Sequence, residues 1–193
     1  MRVVDATEIS ALESQLAIER ERNRQLEAQL RNLADHDPLT DVLNRRSVEQ
    51  ELEVHLARCR RYGPEGAFLL VEVGGLSQIA SALGQSEADR VLAALAEAVV
   101  DRLRATDVTG RWGAHELAVL LPRAADAEVA VVADALARIV GQACTPRVPP
   151  GSLSASIGAA PVVEVRAGAA QLVARARQAM VDVRQRGGGW GLA

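Results

Sequence analysis

The feature that most constrains the fold of this chain is a pair of short apolar runs on either side of a glycine turn. Residues 108–112 and 117–121 are mostly β-branched or apolar, which is typical of strands, and the short connection between them favours a hairpin. Gly113 can adopt the positive φ that a tight turn needs, and Pro122 ends the second run. The pattern predicts a β-hairpin with a histidine and a glutamate near its tip.

Other elements surround this hairpin. The run 67–73 is almost wholly apolar, as expected of a buried central strand. Three segments have apolar residues at helical spacing, and we expect amphipathic helices over residues 45–62, 87–104 and 126–142. Asn44 is suited to cap the first of these helices. The alternation of helices and strands predicts an α/β (α+β) fold.

The N-terminal residues have a different period. Apolar side chains over residues 9–33 fit a heptad repeat, with Glu19 and Asn23 as polar exceptions at its core positions. An asparagine at such a position fixes the register of a two-stranded coiled coil at some cost in stability. We therefore predict a coiled-coil helix over residues 1–34, which forms a homodimer, and a globular domain over residues 35–193. A single solvated amphipathic helix is the alternative for the first segment.

Composition excludes several classes of function. The net charge is −3 and there is no basic run, so the chain lacks the electrostatic footprint of a nucleic-acid-binding or membrane-surface protein. No apolar stretch approaches the roughly 20 residues of a membrane span. Cys59 and Cys144 are far apart and in no metal or redox spacing, which is typical of reduced thiols. These features predict a cytoplasmic protein that binds neither nucleic acid nor membrane.

The segment that contains the hairpin resembles one family. Residues 104–122, RATDVTGRWGAHELAVLLP, resemble the signature hairpin of the GGDEF family, the diguanylate cyclases, whose tip is Gly-Gly-Asp/Glu-Glu-Phe. Residues 35–46 resemble the family's opening motif, residues 153–160 its Val-Ser-Ile-Gly-Ala strand, and residues 169–186 its last helix. The resemblance implies a five-stranded, mainly antiparallel sheet flanked by helices, as in polymerase palm and nucleotidyl cyclase domains. The tail beyond residue 186 is too short to predict the family's last strand.

The resemblance also implies an activity, the condensation of two GTP molecules into cyclic di-GMP with the help of divalent metal held by carboxylates. Several matching positions differ here. Glu72 replaces the family's metal-binding aspartate, Ala80 replaces the asparagine that contacts guanine, and His115 replaces the acid at the tip. Because magnesium prefers anionic oxygen ligands, we expect it to bind poorly. We therefore predict a chain that has no cofactor and is not an enzyme.

Some features of the family's active site are retained. The positions that keep the family's residue or its charge are Gly113, Asp89, Glu116 and Arg184. Ala114, in contrast, adds a Cβ where the family has a second glycine. Glu72, the Val73 carbonyl and His115 would suit zinc or manganese better than magnesium, but we predict a solvated polar turn rather than a metal site.

A second site is implied by residues 104–107, which match the family's inhibitory Arg-x-x-Asp site for cyclic di-GMP in sequence and in position before the hairpin. An arginine can donate to the O6 and N7 edge of guanine or to phosphate, and an aspartate can accept from guanine N1 and N2. We predict that Arg104 and Asp107 bind cyclic di-GMP, with Arg138 as an additional arginine. The alternative is that the motif is unused and Arg104 only stabilises the C-terminus of its helix.

These observations predict a GGDEF-like regulatory protein without cyclase activity. It would bind cyclic di-GMP and act as a dimeric signalling receptor or adaptor for a protein partner. Two alternatives remain open. One is a protein-interaction module that docks its partner without any nucleotide, and the other is residual diguanylate cyclase activity.

Overall fold

The computed structural model describes residues 15–16, 18–22, 35–163 and 168–193. By its internal contacts the chain divides into two units, Met1–Asp35 and His36–Ala193. Residues 15–16 and 18–22 of the first unit are helical and exposed, and Asp35 is helical and partly buried. Most of the predicted coiled coil lies outside the described residues, so the coiled-coil homodimer remains a prediction. Within the described ranges, no helix is both long enough and apolar enough to cross a membrane.

The second unit contains a five-stranded sheet and five described helices. The helices are α1 (Arg45–Tyr62), α2 (Leu76–Leu83), α3 (Gln85–Arg102), α4 (Asp126–Gln142) and α5 (Ala169–Gln185). The strands are β1 (Ala67–Gly74), β2 (Val108–Arg111), β3 (Glu116–Leu121), β4 (Ser154–Pro161) and β5 (Gly189–Leu192). Their order in the sheet is β2-β3-β1-β4-β5. Only the β4–β5 pair is parallel, so the predicted mainly antiparallel sheet flanked by helices is confirmed.

Strand β1 is central and is buried on both faces. Its side chains alternate between two apolar clusters, as the period of two in a strand requires. Leu69 and Val71 join the cluster built on α3 and α4, whereas Phe68 and Leu70 join the cluster built on α1 and α5. This double burial explains why the segment has almost no polar residues. It also fixes the register of β1 against β3, because a slip by one residue would exchange the two faces.

Local signals in the sequence account for most of the element boundaries. Helix α4 spans the segment that was predicted, and Asn44 caps α1 by accepting a hydrogen bond from the Ser47 backbone N–H at 3.0 Å. Helix α3 lies two residues earlier than predicted at both ends. Helix α2 was not predicted, because its eight residues contain little more than two turns of pattern.

The expectation for the C-terminal tail was wrong, because the tail forms β5. Three successive glycines after α5, Gly187 to Gly189, have φ near +100°, which allows the chain to turn back onto the sheet. Trp190 then pairs with Ile157 in the parallel ladder, and its indole Nε1 donates a hydrogen bond to Asp134 at 2.6 Å. Four residues are enough for this strand because it pairs with the edge of β4 and packs against α4 and α5.

Helix α5 packs closely against β4, and Gly158 makes this approach possible. A Cβ at Gly158 would collide with the Ala176 carbonyl oxygen and the Met180 backbone nitrogen, both on α5. Backbone atoms cannot move aside as the end of a flexible side chain can. Gly158 therefore sets the distance between the helix and the sheet, and with it the position of every side chain that α5 presents to β1 and β3.

We predict that Gly158→Ala lowers the free energy of unfolding by about 1–3 kcal/mol, because the added methyl group forces α5 away from β4. Urea unfolding monitored by circular dichroism measures the effect. The matched control is Gly141→Ala in α4, where an added Cβ meets nothing within 4 Å and should stabilise the helix by up to about 1 kcal/mol. Equal effects at the two positions would contradict the proposed role of Gly158.

Candidate functional site

Two glutamates stand side by side on the sheet. Glu72 near the end of β1 is the direct cross-strand partner of Glu116 at the start of β3. Directly opposed residues of antiparallel strands have Cβ atoms about 5 Å apart and point to the same face of the sheet. The side chains are 23% and 21% exposed, so water screens them only partly. Two adjacent, half-buried carboxylates repel each other unless a positive charge lies between or beside them.

Helix α5 supplies this positive charge. Arg177 and Arg184 are seven residues apart, about two helical turns, and therefore lie on the same face of α5. Arg177 donates two hydrogen bonds to Glu116, at 2.8 Å to Oε1 and 3.0 Å to Oε2. Arg184 donates one to Glu72 Oε1 at 2.9 Å. The bidentate pair is the stronger arrangement, since both guanidinium hydrogen bonds are charge-assisted.

Arg177 interacts with both glutamates. Its hydrogen bonds to Glu116 raise its pKa above the ordinary value despite the opposing effect of partial burial, and the charges of Glu116 and Glu72 add to the rise. Arg177 therefore stays charged.

One oxygen of the pair is left without a partner. Glu72 Oε2 is buried and accepts no hydrogen bond from the part of the chain that the structure describes. A buried acceptor without a donor is unfavourable and is uncommon in folded proteins. Within the described residues, no group of three or more histidine, cysteine, aspartate or glutamate side chains is placed to hold a metal ion. A divalent cation at this pair would have to compete with both guanidinium groups for the carboxylate oxygens.

The tip of the hairpin is held by backbone contacts. The N–H groups of Trp112 and Gly113 both donate to the Glu116 carbonyl oxygen, and the Val73 N–H donates to the His115 carbonyl oxygen at 2.9 Å. The His115 backbone therefore ties the tip to the end of β1. Ala114 is exposed, and its carbonyl accepts a hydrogen bond from Arg111 at 3.4 Å.

Arg111 links the hairpin tip to the turn at residues 37–40. Its NH1 donates to both carboxylate oxygens of Asp37, at 3.1 and 3.2 Å, while its Nε donates to the Gly113 carbonyl at 3.2 Å. Partial burial alone would raise the pKa of Asp37, but the hydrogen bonds from the Thr40 hydroxyl and backbone N–H, and then from Arg111, outweigh it and lower that pKa. The folded state therefore favours the charged form of Asp37.

We predict that Asp37→Asn lowers the free energy of unfolding by about 1–2 kcal/mol at pH 7, because Arg111 loses a charged acceptor. Since the pKa of Asp37 is lower in the folded state, its contribution is complete above the ordinary value of 3.8 and is lost as the pH falls through the lower folded value. The two stability curves should therefore converge in acid. Denaturant unfolding from pH 7 down to about pH 2 covers the range in which the difference should disappear.

Asp41→Asn is the control for that measurement. The Asp41 carboxylate is fully exposed, and the backbone has a φ of 55°, which asparagine also tolerates. This substitution removes the same charge but should change stability little across the pH range. A pH-independent difference between Asp37→Asn and the unmodified chain would disprove the role given to the carboxylate.

Ala80 and Asp89, which were compared with the family's active site above, lie on the helices after β1. Ala80 in α2 packs against the apolar core. Asp89 in α3 accepts a hydrogen bond from Gln85 Nε2 at 2.7 Å, one turn earlier in the same helix. Ala80 has no polar group to offer a nucleotide, and the Asp89 carboxylate already has an intrahelical donor.

The Arg104 and Asp107 side chains line a groove of about 340 Å³ beyond the end of α3. Asp107 Oδ2 accepts a hydrogen bond from the Arg104 backbone N–H at 3.0 Å, and the Asp107 N–H donates to the Arg104 carbonyl at 2.9 Å. This closed turn fixes both residues at one rim of the groove. The other rim is the first half of α4, which includes Glu128 and Val132.

Glu128 pairs with the arginine of this groove. Its Oε1 accepts a hydrogen bond from Arg104 NH2 at 3.0 Å, and its Oε2 accepts one from the Ala125 N–H at 3.1 Å. The contact with Glu128 raises the pKa of Arg104, and the contact with Arg104 lowers the pKa of Glu128. The Arg104 side chain is 67% exposed, so this ion pair is open to solvent.

Arg138 lies elsewhere. It does not line the groove, and its guanidinium donates to the Asp134 carbonyl in its own helix at 3.3 Å. It follows Glu128 by ten positions in α4, about 15 Å along the helix axis. The structure therefore does not place Arg138 near Arg104 and Asp107, because Arg138 lies farther along α4 than the part of the helix that lines the groove.

Two residues with a part in these sites were missed by sequence reasoning. Arg177 was not among the residues singled out from the sequence, although its spacing of seven from Arg184 indicates a shared helix face. Glu128 has only the local signature of a helix start, three residues after Ala125. Its pairing with Arg104, 24 residues away, has no sequence signal.

Comparison with known proteins identifies the relatives of the chain. The family model described as "Diguanylate cyclase, GGDEF domain" matches residues 34–189. The diguanylate cyclase DgcM of Escherichia coli K12 is 36% identical over 104 residues, which are 52% of this chain. The matched stretch covers only 24% of the length of that relative.

Solved structures show the same fold. The crystal structure of the diguanylate cyclase SiaD from Pseudomonas aeruginosa, in complex with its activator SiaC, matches 97% of this chain and 74% of that chain, with 27% identity and a TM-score of 0.79. A microbial GGDEF domain, solved in a study of its interaction with cyclic di-GMP, matches 85% of this chain and 98% of that chain, with 30% identity and a TM-score of 0.72.

These relatives contradict the prediction that the chain is not an enzyme, because proteins named diguanylate cyclases point to an enzyme. That prediction was drawn from single substitutions, and the structure shows why they are insufficient. Glu72 still provides a carboxylate at its position, and Glu116 lies directly beside it. The loss of an acid at His115 therefore does not remove all anionic oxygen from the site.

Proposed function

Because this chain belongs to the GGDEF family, we propose that it is a regulatory domain of cyclic di-GMP signalling, which binds the nucleotide in the groove at Arg104 and Asp107. The observation that carries this proposal is the position of the two side chains at one rim of a groove of about 340 Å³. Small-molecule sites commonly have volumes of about 300–1,000 Å³. The relative solved in the study of cyclic di-GMP interaction supports the choice of ligand.

The two side chains have complementary roles. The Arg104 guanidinium is largely exposed and can turn its planar donors toward a phosphate or the O6 and N7 edge of a guanine. The Asp107 carboxylate uses Oδ2 to hold the turn, and a carboxylate has further lone pairs for the N1 and N2 donors of guanine. Apolar side chains of the groove, Leu121 and Val132 among them, can pack against the base.

Glu128 competes with the ligand for Arg104. Arg104 donates to Glu128 Oε1 through NH2, so a phosphate or guanine acceptor competes with Glu128 for that donor and for the orientation of the guanidinium. Because the ion pair is exposed, this exchange costs little. Glu128 would therefore weaken the binding of cyclic di-GMP without preventing it.

We predict that the full chain binds cyclic di-GMP in isothermal titration calorimetry and that Arg104→Ala weakens binding by at least about tenfold, since the ligand loses its charge-assisted hydrogen bonds to the guanidinium. Arg138→Ala is the matched control. It removes the same charge from an exposed site outside the groove and should leave the affinity unchanged. No heat at high micromolar nucleotide, or equal binding by Arg104→Ala, would refute the proposal.

We further predict that Glu128→Gln tightens the binding of cyclic di-GMP by up to about fivefold, because it releases Arg104 from an exposed ion pair. The glutamine side chain still has an oxygen to accept the Ala125 N–H, so the start of α4 should be preserved. The same calorimetric titration measures the change, and thermal unfolding checks the fold. Weaker binding by this variant would show that Glu128 contacts the ligand instead of competing with it.

The signalling output is proposed to pass through a protein partner, with the N-terminal helix forming a homodimer. A relative that was crystallised with its activator protein supports a partner of this kind. Measuring the affinity for the partner with and without cyclic di-GMP distinguishes this receptor from a protein-interaction module that needs no nucleotide. An affinity that is unchanged by the nucleotide favours the module, and an affinity that depends on it favours the receptor.

A second candidate function is diguanylate cyclase activity, and the observation that favours it is the named relatives. The test is the formation of cyclic di-GMP from GTP by the purified chain with Mg²⁺ or Mn²⁺. Loss of product with Glu116→Gln would assign the activity to this chain and not to a contaminant. This activity and the binding of product at Arg104 are compatible, because they use different residues.

A further inference from the structure

The two negative charges of Glu72 and Glu116 need a positive charge beside them, and helix α5 is the element that the fold places there. The pairing of β1 with β3 forces the two carboxylates together, and both are about four-fifths buried. Helix α5 is held against the neighbouring strand by the close contact at Gly158. Its guanidinium groups are therefore presented to the pair by the packing of the helix, not by chance surface contact.

Of the two arginines, Arg177 is the better placed to act as the cation of the pair. It engages both oxygens of Glu116 and is also stabilised by the charge of Glu72, whereas Arg184 makes a single hydrogen bond to Glu72 and is more exposed, at 56% against 42%. The buried Glu72 Oε2 remains without a donor. The pair is thus neutralised, but one of its oxygens could still accept a bond to a cation.

We infer that Arg177 is the resident cation of the Glu72–Glu116 pair and that a divalent metal ion binds there only after Arg177 has released Glu116. The inference goes beyond the proposed binding of cyclic di-GMP and does not depend on it, since the two sites share no residue. Release is feasible because the Arg177 side chain is 42% exposed and can swing toward water without exposing the core.

Once Arg177 is displaced, the chemistry of the pair changes. Glu116 regains two free oxygens and Glu72 already has one, which gives a hard divalent cation several anionic oxygens on one face of the sheet. With Arg177 in place, the cation must overcome both the bidentate hydrogen bonds and the repulsion of a unit positive charge in contact with the same oxygens. The identity of residue 177 therefore controls metal affinity at this site.

The test is the binding of Mn²⁺ alone to the full chain, followed through the electron paramagnetic resonance signal of the free ion. We expect Arg177→Gln to bind Mn²⁺ at least about tenfold more tightly than the unmodified chain, because a unit positive charge is removed from contact with the ligand oxygens. Arg177→Lys keeps the charge and should show no such gain. Adding Glu116→Gln to Arg177→Gln should abolish the gain, which places the ion at the pair.

Arg175→Gln is the matched control on the same helix. Arg175 donates to the Pro161 carbonyl oxygen and to an oxygen of Ala193, so its loss changes the net charge equally without freeing Glu72 or Glu116. Circular dichroism checks that each variant is folded. The inference is overturned if Arg177→Gln binds Mn²⁺ no better than the unmodified chain, or if Arg175→Gln improves binding equally.

Discussion

The antiparallel pairing of β1 with β3 is the constraint on which the rest of the candidate site depends. It sets Glu72 opposite Glu116 in a part of the sheet where water screens charge only weakly. A carboxylate could reach the other face of the sheet only if the register of β1 against β3 shifted by one residue. That shift would move the apolar side chains of β1 out of their two clusters. The acid pair is thus as firmly placed as the core itself, and the rest of the site must accommodate its charge.

The chain balances that charge with arginines on a neighbouring helix. Gly158 allows α5 to approach β4, and the spacing of Arg177 and Arg184 brings both guanidinium groups to the acids. The groove at Arg104 follows a similar scheme, with an arginine paired to a glutamate of another helix. The two pairs differ in burial. The exposed pair at Arg104 is easily exchanged for a ligand, whereas the half-buried pair at Arg177 resists replacement.

Sequence reasoning was accurate where local chemistry determines structure, and it failed where distant parts of the chain meet. The hairpin, the cap at Asn44 and helix α4 all follow from patterns within a few residues, and the structure contains each of them. Strand β5 was missed because a strand of four residues is stabilised by the edge it joins and has too little pattern of its own. The prediction about enzymatic activity failed for a related reason. It considered substituted positions one at a time and could not see that Glu116 stands beside Glu72.

By itself, the sequence determined most of the helices and strands, though not α2 or β5, together with the family that the chain resembles and the residues that have the chemistry to bind a nucleotide or a cation. Periodicity and capping act over a few residues and are therefore visible in a linear string. Only the tertiary structure decided how those residues are paired. Arg177 and Glu116 are 61 positions apart, and Arg104 and Glu128 are 24 apart. Such contacts arise when sheet register and helix packing bring distant segments together. Charged residues that are far apart in the sequence therefore form ion pairs in the folded protein.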